Sequence, residues 1–262
     1  MSHFGKKHLR FVGSIDIKIM KKIALLASAI TTLISSTFAQ SDFQLGLKLS
    51  PNFSWFNAQS ENLQSDGANF GFNYGLVGDF NISENYSFST GIMLVNTGGE
   101  LDYPSVVAVD ANGTSTEFGG RKTADVTLKY IEIPLTLKLK TNEIGYLTYF
   151  CQFGLGLGVN YDATADVDFN YSGASGAISN EEVDFSDETN LFRASLIVGL
   201  GAEYNLTGNT SLVFGFTFND GFTNVLKEDG YDADANGNGV APRNKDFKAI
   251  NNYLVLNVGV LF

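Results

Sequence analysis

Chemistry in this sequence rests on carboxylates, amines and amides, because the side chains that most often run catalysis are nearly absent. His3 and His8 are its only histidines, and Cys151 is its only thiol. Beyond residue 40 there is no imidazole to activate a serine or cysteine or to ligate a metal. A carboxylate-only mechanism needs two acids flanking a cleft, and no spacing in the chain indicates one. What remains is a set of charges embedded in alternating segments: Lys48, Asp79, Glu132, Lys138, Arg193 and Glu203. A second set, Asp232-Ala-Asp234-Ala-Asn236-Gly237, matches the start of a calcium loop, D-x-D-x-N-G. The twelfth position of that loop is Arg243, where a bidentate glutamate is required. Calcium on Asp232, Asp234 and Asn236 is therefore the weaker reading, and a polar, turn-rich loop the stronger. No other cofactor is implied.

The six charges must be positioned by strands. In Tyr130–Lys140 the odd positions Ile131, Ile133, Leu135, Leu137 and Leu139 are apolar, while the even positions include Glu132, Thr136, Lys138 and Lys140. A period of two over that length means one strand with two unlike faces. An aliphatic face opposite a charged one suits a barrel wall with lipid outside and a polar interior. Pro134 cannot donate to a ladder, so a bulge or bend is expected there.

Seven more segments alternate: Phe43–Phe56, Asn69–Ile82, a strand from Tyr86 that can reach Asp110, Tyr146–Tyr161, Leu191–Leu206, Thr210–Thr223 and Ile250–Phe262. Asn112-Gly113 is a hairpin signal, so the third and fourth strands should form one tall hairpin. In Tyr146–Tyr161, Cys151 falls on the outward face and Gly154, Gly156 and Gly158 on the inward one. Those glycines suggest a crowded lumen or a curved wall. A nucleotide-binding reading of the same glycines lacks the helix that should follow. Connections alternate short and long, with short turns after the second, fourth and sixth strands, which is the outer-membrane pattern. Aromatic residues near strand ends, Phe43, Trp55, Tyr86, Tyr146, Tyr161, Tyr204 and Phe262, fit interfacial girdles. The expected fold is all-β, an eight-stranded antiparallel up-and-down transmembrane β-barrel of outer-membrane type, with an interior filled by side chains. A soluble eight-stranded barrel would show the reverse sidedness.

Counted along their strands, Lys48, Asp79, Glu132, Lys138, Arg193 and Glu203 all point into the lumen. Enclosed charges must be paired or hydrated. Three bases and three acids suit a salt-bridge network plugging a narrow barrel, or else a narrow gated ion path. Glu132 is expected to pair with Lys48, Lys138 or Arg193.

Residues 20–39 read as a secretory signal, with Lys21 and Lys22, an apolar centre at Ile23–Leu33, and Thr37-Phe38-Ala39 before Gln40. The apolar run falls short of the roughly 20 residues of a helical span. Met20 is the natural start on this reading. The organisation expected is an extension plus signal over 1–40 and a barrel over 41–262. Residues 41–262 carry 11 basic and 27 acidic side chains, a net of −16 that repels nucleic acid. One cysteine permits no intramolecular disulfide. The segment Asp162–Asn190 holds eight acids and no base. It reads as a solvated hairpin, or as a docking surface for a basic partner or a cation.

The string Tyr130-Ile-Glu-Ile-Pro-Leu-Thr-Leu-Lys138 resembles the most recognisable segment of the PorT-like outer-membrane β-barrels of the Bacteroidetes. The resemblance implies an integral, porin-like protein of a Gram-negative outer membrane; the signal segment implies export by the Sec route, and the lack of histidine beyond residue 40 argues against enzymatic activity. Some members of that family serve the type IX secretion and gliding machinery. Phe262, ending an alternating strand, resembles the signal read by the outer-membrane assembly machinery. The partners implied are outer-membrane lipid, that machinery and other envelope proteins. Three roles follow as expectations: a structural or partner-presenting barrel, an accessory of a secretion complex, or a narrow channel.

Overall fold

Alternation decides which side of each strand meets lipid, and the strands then pair edge to edge until no edge is left. The computed structural model describes residues 43–111, 114–171, 177–208, 210–227, 229–233 and 239–262, and within these the side chains of 107–111, 114–117, 171, 177–178, 181, 207, 229–233 and 239–246 lie outside the description. The signal segment therefore falls outside the described residues. In chain order the strands are β1 (Phe43–Ala58), β2 (Gln64–Ser83), β3 (Tyr86–Ala111), β4 (Thr114–Lys140), β5 (Leu147–Tyr171), β6 (Ala177–Asp184), β7 (Phe192–Thr207), β8 (Thr210–Gly221), β9 (Asp229–Ala233), β10 (Gly239–Asp246) and β11 (Ala249–Leu261).

Neighbours run β4-β3-β2-β1-β11-β8-β7-β5, and β4 pairs with β5 to close the ring. All eight wall pairings are antiparallel. Closure leaves no free edge within the ring, which a sheet in lipid requires. β6 adds to the upper part of β5, and β9 and β10 form a separate hairpin. Two of the short turns contain Gly145 (φ +70°) and Gly208 (φ +59°), backbone conformations that glycine adopts without a Cβ penalty.

One expectation is corrected. β4 runs unbroken through Pro134, with no register shift against β5 at Glu132↔Gly158 and Pro134↔Gly156. Against β3 the register also holds between Thr90↔Leu135 and Met93↔Glu132, so the proline loses ladder contacts without shifting the register. The bulge lies instead between Lys129↔Asp162 and Tyr130↔Asn160. Asp162–Asn190 forms the hairpin expected of it, with β6 paired antiparallel on the upper part of β5. Its first residues continue β5 to Tyr171, paired along β4 as far as Gly120.

About 9–11 residues carry a strand across the hydrocarbon, yet β3, β4 and β5 have 26, 27 and 25. The surplus stands at the end opposite the short turns, which places it outside the cell in the usual outer-membrane arrangement. Along β4 the polarity of both faces inverts at the boundary. Below it, Ile131 and Ile133 face outward and Glu132, Thr136 and Lys138 are buried inside. Above it, Ala124, Val126 and Leu128 are fully buried, while Asp125 is exposed and Thr127 and Lys129 are partly so. The strand does not slip; the solvent outside it changes from lipid to water.

The outward belt is continuous around the ring, with Leu155 44% exposed, Phe216 55% and Leu200 64%. Its rims carry aromatic residues: Phe43 packs on Phe80 at 4.7 Å, and Tyr146 on Tyr204 at 6.1 Å. Trp55 stacks on Phe218 at 6.1 Å towards the other rim.

Inside the upper wall, Leu101, Tyr103, Val126 and Leu128 join Phe185, Val225, Leu226 and Phe247 from the connections in one buried cluster. Tyr103 meets Phe247 at 5.2 Å between ring centres. The connections interlock through the backbone: Asn190 N donates to Val225 O at 2.9 Å, and Val225 N to Ala249 O at 2.9 Å. The Asn224 side chain clamps the junction, donating to Leu226 O (2.8 Å) and Phe247 O (3.0 Å) and accepting from Ala249 N at 2.9 Å. The result is an apolar plug over the lumen.

Candidate functional site

Below the plug the lumen is polar and layered. The upper layer is built on Arg193 of β7. Its Nη1 donates to Glu132 Oε2 at 3.0 Å and to Ser195 Oγ at 3.3 Å, and its Nη2 to Asn251 O at 3.0 Å. Tyr253 Oη donates to the same Glu132 oxygen at 3.0 Å. The guanidinium also stacks over the Tyr253 ring at 4.8 Å and the Tyr130 ring at 6.0 Å. An inward glycine makes this arrangement fit. A Cβ on Gly156 would come within 3.1 Å of Glu132 Cδ and 2.6 Å of Ser195 Oγ. The Tyr130 ring lies against Gly158, 3.4 Å from where a Cβ would stand.

The lower layer is built on Lys138 of β4. Its ammonium bonds Asp79 and Glu203, the latter at 3.1 Å, and sits 4.8 Å over the Phe150 ring. Ser89 Oγ donates to the other Asp79 oxygen at 2.5 Å, and Lys140 Nζ to the other Glu203 oxygen at 3.0 Å. Charges taken this far from water persist only with such partners on every side.

Between the layers lies a cavity of about 60 Å³. That is room for a few water molecules, at roughly 10–15 Å³ for each. Its lining includes Lys48, Asn73, Glu132, Thr217, Asn219 and Tyr253. Gln152 Nε2 and Asn257 Nδ2 both donate to Thr217 Oγ1, at 3.2 and 2.6 Å.

All six charges expected inside the ring are inside it. Glu132 meets Arg193, and Lys138 joins Asp79 to Glu203. Lys48 lines the cavity but has no ion pair or hydrogen bond among the described residues. Sequence reasoning left Lys140 out of the network, although its even position on β4 is the same signal that found Lys138. It also missed Tyr253 and Asn251, which carry no charge to attract notice. Cys151 is exposed on the lipid side. Of the calcium motif, Asp234 and Asn236 lie outside the described residues, as does the Asp232 side chain. Among the described residues no three histidine, cysteine or acidic side chains are grouped to hold a metal.

Further ion pairs lie on the outer surface of the upper wall. Arg121 pairs with Asp102, and Lys129 Nζ with Asp162 Oδ2 at 2.7 Å. The hydrogen bond to Asp162 raises the Lys129 pKa above the ordinary lysine value.

A closed antiparallel ring with a lipid-facing belt and an enclosed polar interior is a transmembrane β-barrel. The chain belongs to the family described as outer membrane protein beta-barrel domain, whose model matches residues 38–227. The protein is thus an integral component of the outer membrane. No curated protein matches the chain. Similar solved structures include three outer-membrane proteins. Outer membrane protein OprG from Pseudomonas aeruginosa is 10% identical, covering 85% of this chain and 96% of its own, with a TM-score of 0.46. Neisserial surface protein A is 11% identical, covering 83% and 95%, with a TM-score of 0.39. Ail, the attachment invasion locus protein of Yersinia pestis, is 12% identical, covering 84% and 99%, with a TM-score of 0.35.

Proposed function

We propose that this protein is a non-enzymatic, ion-tight barrel that holds a rigid extracellular wall for a partner in the envelope. The observation that carries this reading is the double seal. An ion entering from outside meets Leu101, Tyr103, Leu128, Phe185, Leu226 and Phe247, each at most 1% exposed. One entering from the periplasm meets the Lys138–Asp79–Glu203 cluster. A permeating ion needs a hydrated or polar route, and this packed cluster, with the Lys122 ammonium 5.3 Å over the Phe185 ring, opposes one. The absence of histidine beyond residue 40 and the engagement of Glu132 by Arg193 and Tyr253 argue against hydrolytic chemistry.

The outer face of the tall wall exposes Asp125, Asp166 and Asp168, which suits a basic partner surface. The Tyr130–Lys138 string, similar to PorT-like barrels, favours one refinement: the partner is a component of a secretion complex, with this barrel as its accessory. Insertion would proceed through the assembly machinery reading β11 and Phe262.

Planar-bilayer recording tests the seal. The refolded barrel should be silent across the physiological voltage range, and discrete conductance steps would replace this reading with the gated channel. Co-purification from native membranes tests the partner: a basic envelope protein should follow the barrel, and a barrel that purifies alone removes the accessory role.

A further inference from the structure

We propose that the cavity between the two lumen layers holds one small monovalent anion of the halide class, bound by Lys48 together with Asn73, Thr217 and Asn219. Counting charge leads to it. The lower layer contains three cations, Lys48, Lys138 and Lys140, and two anions, Asp79 and Glu203. Both anions are already committed: Asp79 to Lys138 and Ser89, and Glu203 to Lys138 and Lys140. In the upper layer Arg193 and Glu132 cancel. The charges acting on Lys48 are Lys138, Asp79 and Glu203, and neither acid reaches it as an ion pair. One cation is left over inside a wall surrounded by hydrocarbon, where a charge without a counter-charge is costly.

The donors that share the cavity lining with that cation point the same way. Asn73 Oδ1 accepts from Asn52 Nδ2 at 2.8 Å, and the Asn73 amide nitrogen has no bond of its own among the described residues. The Asn219 side chain also makes no protein hydrogen bond among the described residues. Thr217 Oγ1 already accepts two hydrogen bonds, so its own proton is directed to a third partner. With Lys48, these three residues line one cavity. Among the described residues Glu132 is the only carboxylate on that lining; Arg193 and Tyr253 both bond its Oε2, and its Oε1 makes no hydrogen bond there. A cavity walled by a lysine and surplus donors disfavours a metal cation. A spherical anion accepts from such a fan of donors without imposing a geometry, and a single negative charge matches the single surplus positive one.

The test is the full barrel crystallised with bromide as the only halide, with diffraction recorded at the bromine absorption edge. The expected result is an anomalous peak in contact with Lys48 Nζ inside the lumen. It should vanish in Lys48→Met and in Asn219→Asp. The second variant keeps the lysine but supplies a protein carboxylate in place of the anion. Folding of each variant is checked by the heat-dependent shift of its gel band, so one well-folded variant suffices. In parallel, replacing chloride with isethionate at fixed ionic strength should lower the unfolding midpoint of the wild type and leave Lys48→Met unmoved. No lumen peak in the wild type, or a peak that survives in either folded variant, overturns the proposal. Bilayer silence concerns the seal and the bromide map concerns the occupant, so either can fail without the other.

Discussion

β4 passes through two solvents, and its two halves solve opposite problems. In the upper half water lies outside, so the ordinary globular rule holds: Ala124, Val126 and Leu128 are buried, while Asp125 is exposed and Lys129 pairs with Asp162 at the surface. In the lower half hydrocarbon lies outside, so Ile131 and Ile133 turn out and Glu132 and Lys138 turn in. The inward parity is even throughout, and the chemistry of the even and the odd positions changes together. The comparison teaches that sidedness is set by what surrounds the wall, not by the strand. The bulge at Lys129/Tyr130 marks the place. It lets Tyr161 stay outward at the rim while moving Ala163 and Ala165 of β5 onto the buried face above.

The two halves should also differ in how they fail. Polar pairs hold the lower interior, so the largest loss should follow from orphaning one. Glu132→Ala should destabilise the refolded barrel by about 3–5 kcal/mol, because Arg193 is left charged and unpaired. Glu132→Leu combined with Arg193→Met should recover most of that, since an apolar pair of similar volume is often neutral. Equilibrium urea unfolding in lipid bilayers measures both, and a single variant as mild as the double one would break the comparison.

The outer face comes next. Leu155→Arg, at the middle of the lipid belt, should cost about 2–4 kcal/mol. Asp168→Arg, on the upper part of the same strand, should stay within about 0.5 kcal/mol. Equal costs would mean that no solvent boundary crosses β5.

In the upper interior, Leu128→Ala should cost about 2 kcal/mol, the low end for such truncations, because connections can collapse onto the space more readily than a closed wall. Its signature is faster proteolysis of the extracellular connections while the membrane ring still resists heat-dependent unfolding. Loss of the whole barrel instead would show that the halves are one cooperative unit.

The smallest effect belongs to the surface pair. Lys129→Ala should cost about 0.2–1 kcal/mol. The Lys129 pKa is raised by Asp162, so this contribution is full below the ordinary lysine value and is lost as pH rises through the raised one. The wild type and the variant should converge in stability at strongly alkaline pH.

The ring was legible in the sequence because a strict period of two survives wherever one face must meet lipid. All eight wall strands and the inward position of the six charges follow from parity alone. Parity is equally why the bulge was misplaced. Pro134 announces itself by its chemistry, but a missing donor costs a ladder bond and leaves the register intact, whereas the bulge at Lys129/Tyr130 is set by pairing with a distant strand. The plug was not legible either. Phe185, Val225, Leu226 and Phe247 lie in connections with no periodicity, and their burial depends on the tall hairpin that covers them. The acidic content of Asp162–Asn190 drew attention to charge, while its structural weight rests on the apolar Ala163, Ala165 and Phe185.

The most direct measurement of the inversion is a nitroxide scan along β4 in a Cys151→Ala background, reading electron-spin collision rates with oxygen and with a water-soluble nickel chelate. Outward labels at 125, 127 and 129 should respond to nickel, those at 131, 133, 135 and 137 to oxygen, with the crossover between 129 and 131. A uniform response along the outward face, or a crossover displaced by a full turn of the alternation or more towards either end, would contradict the account.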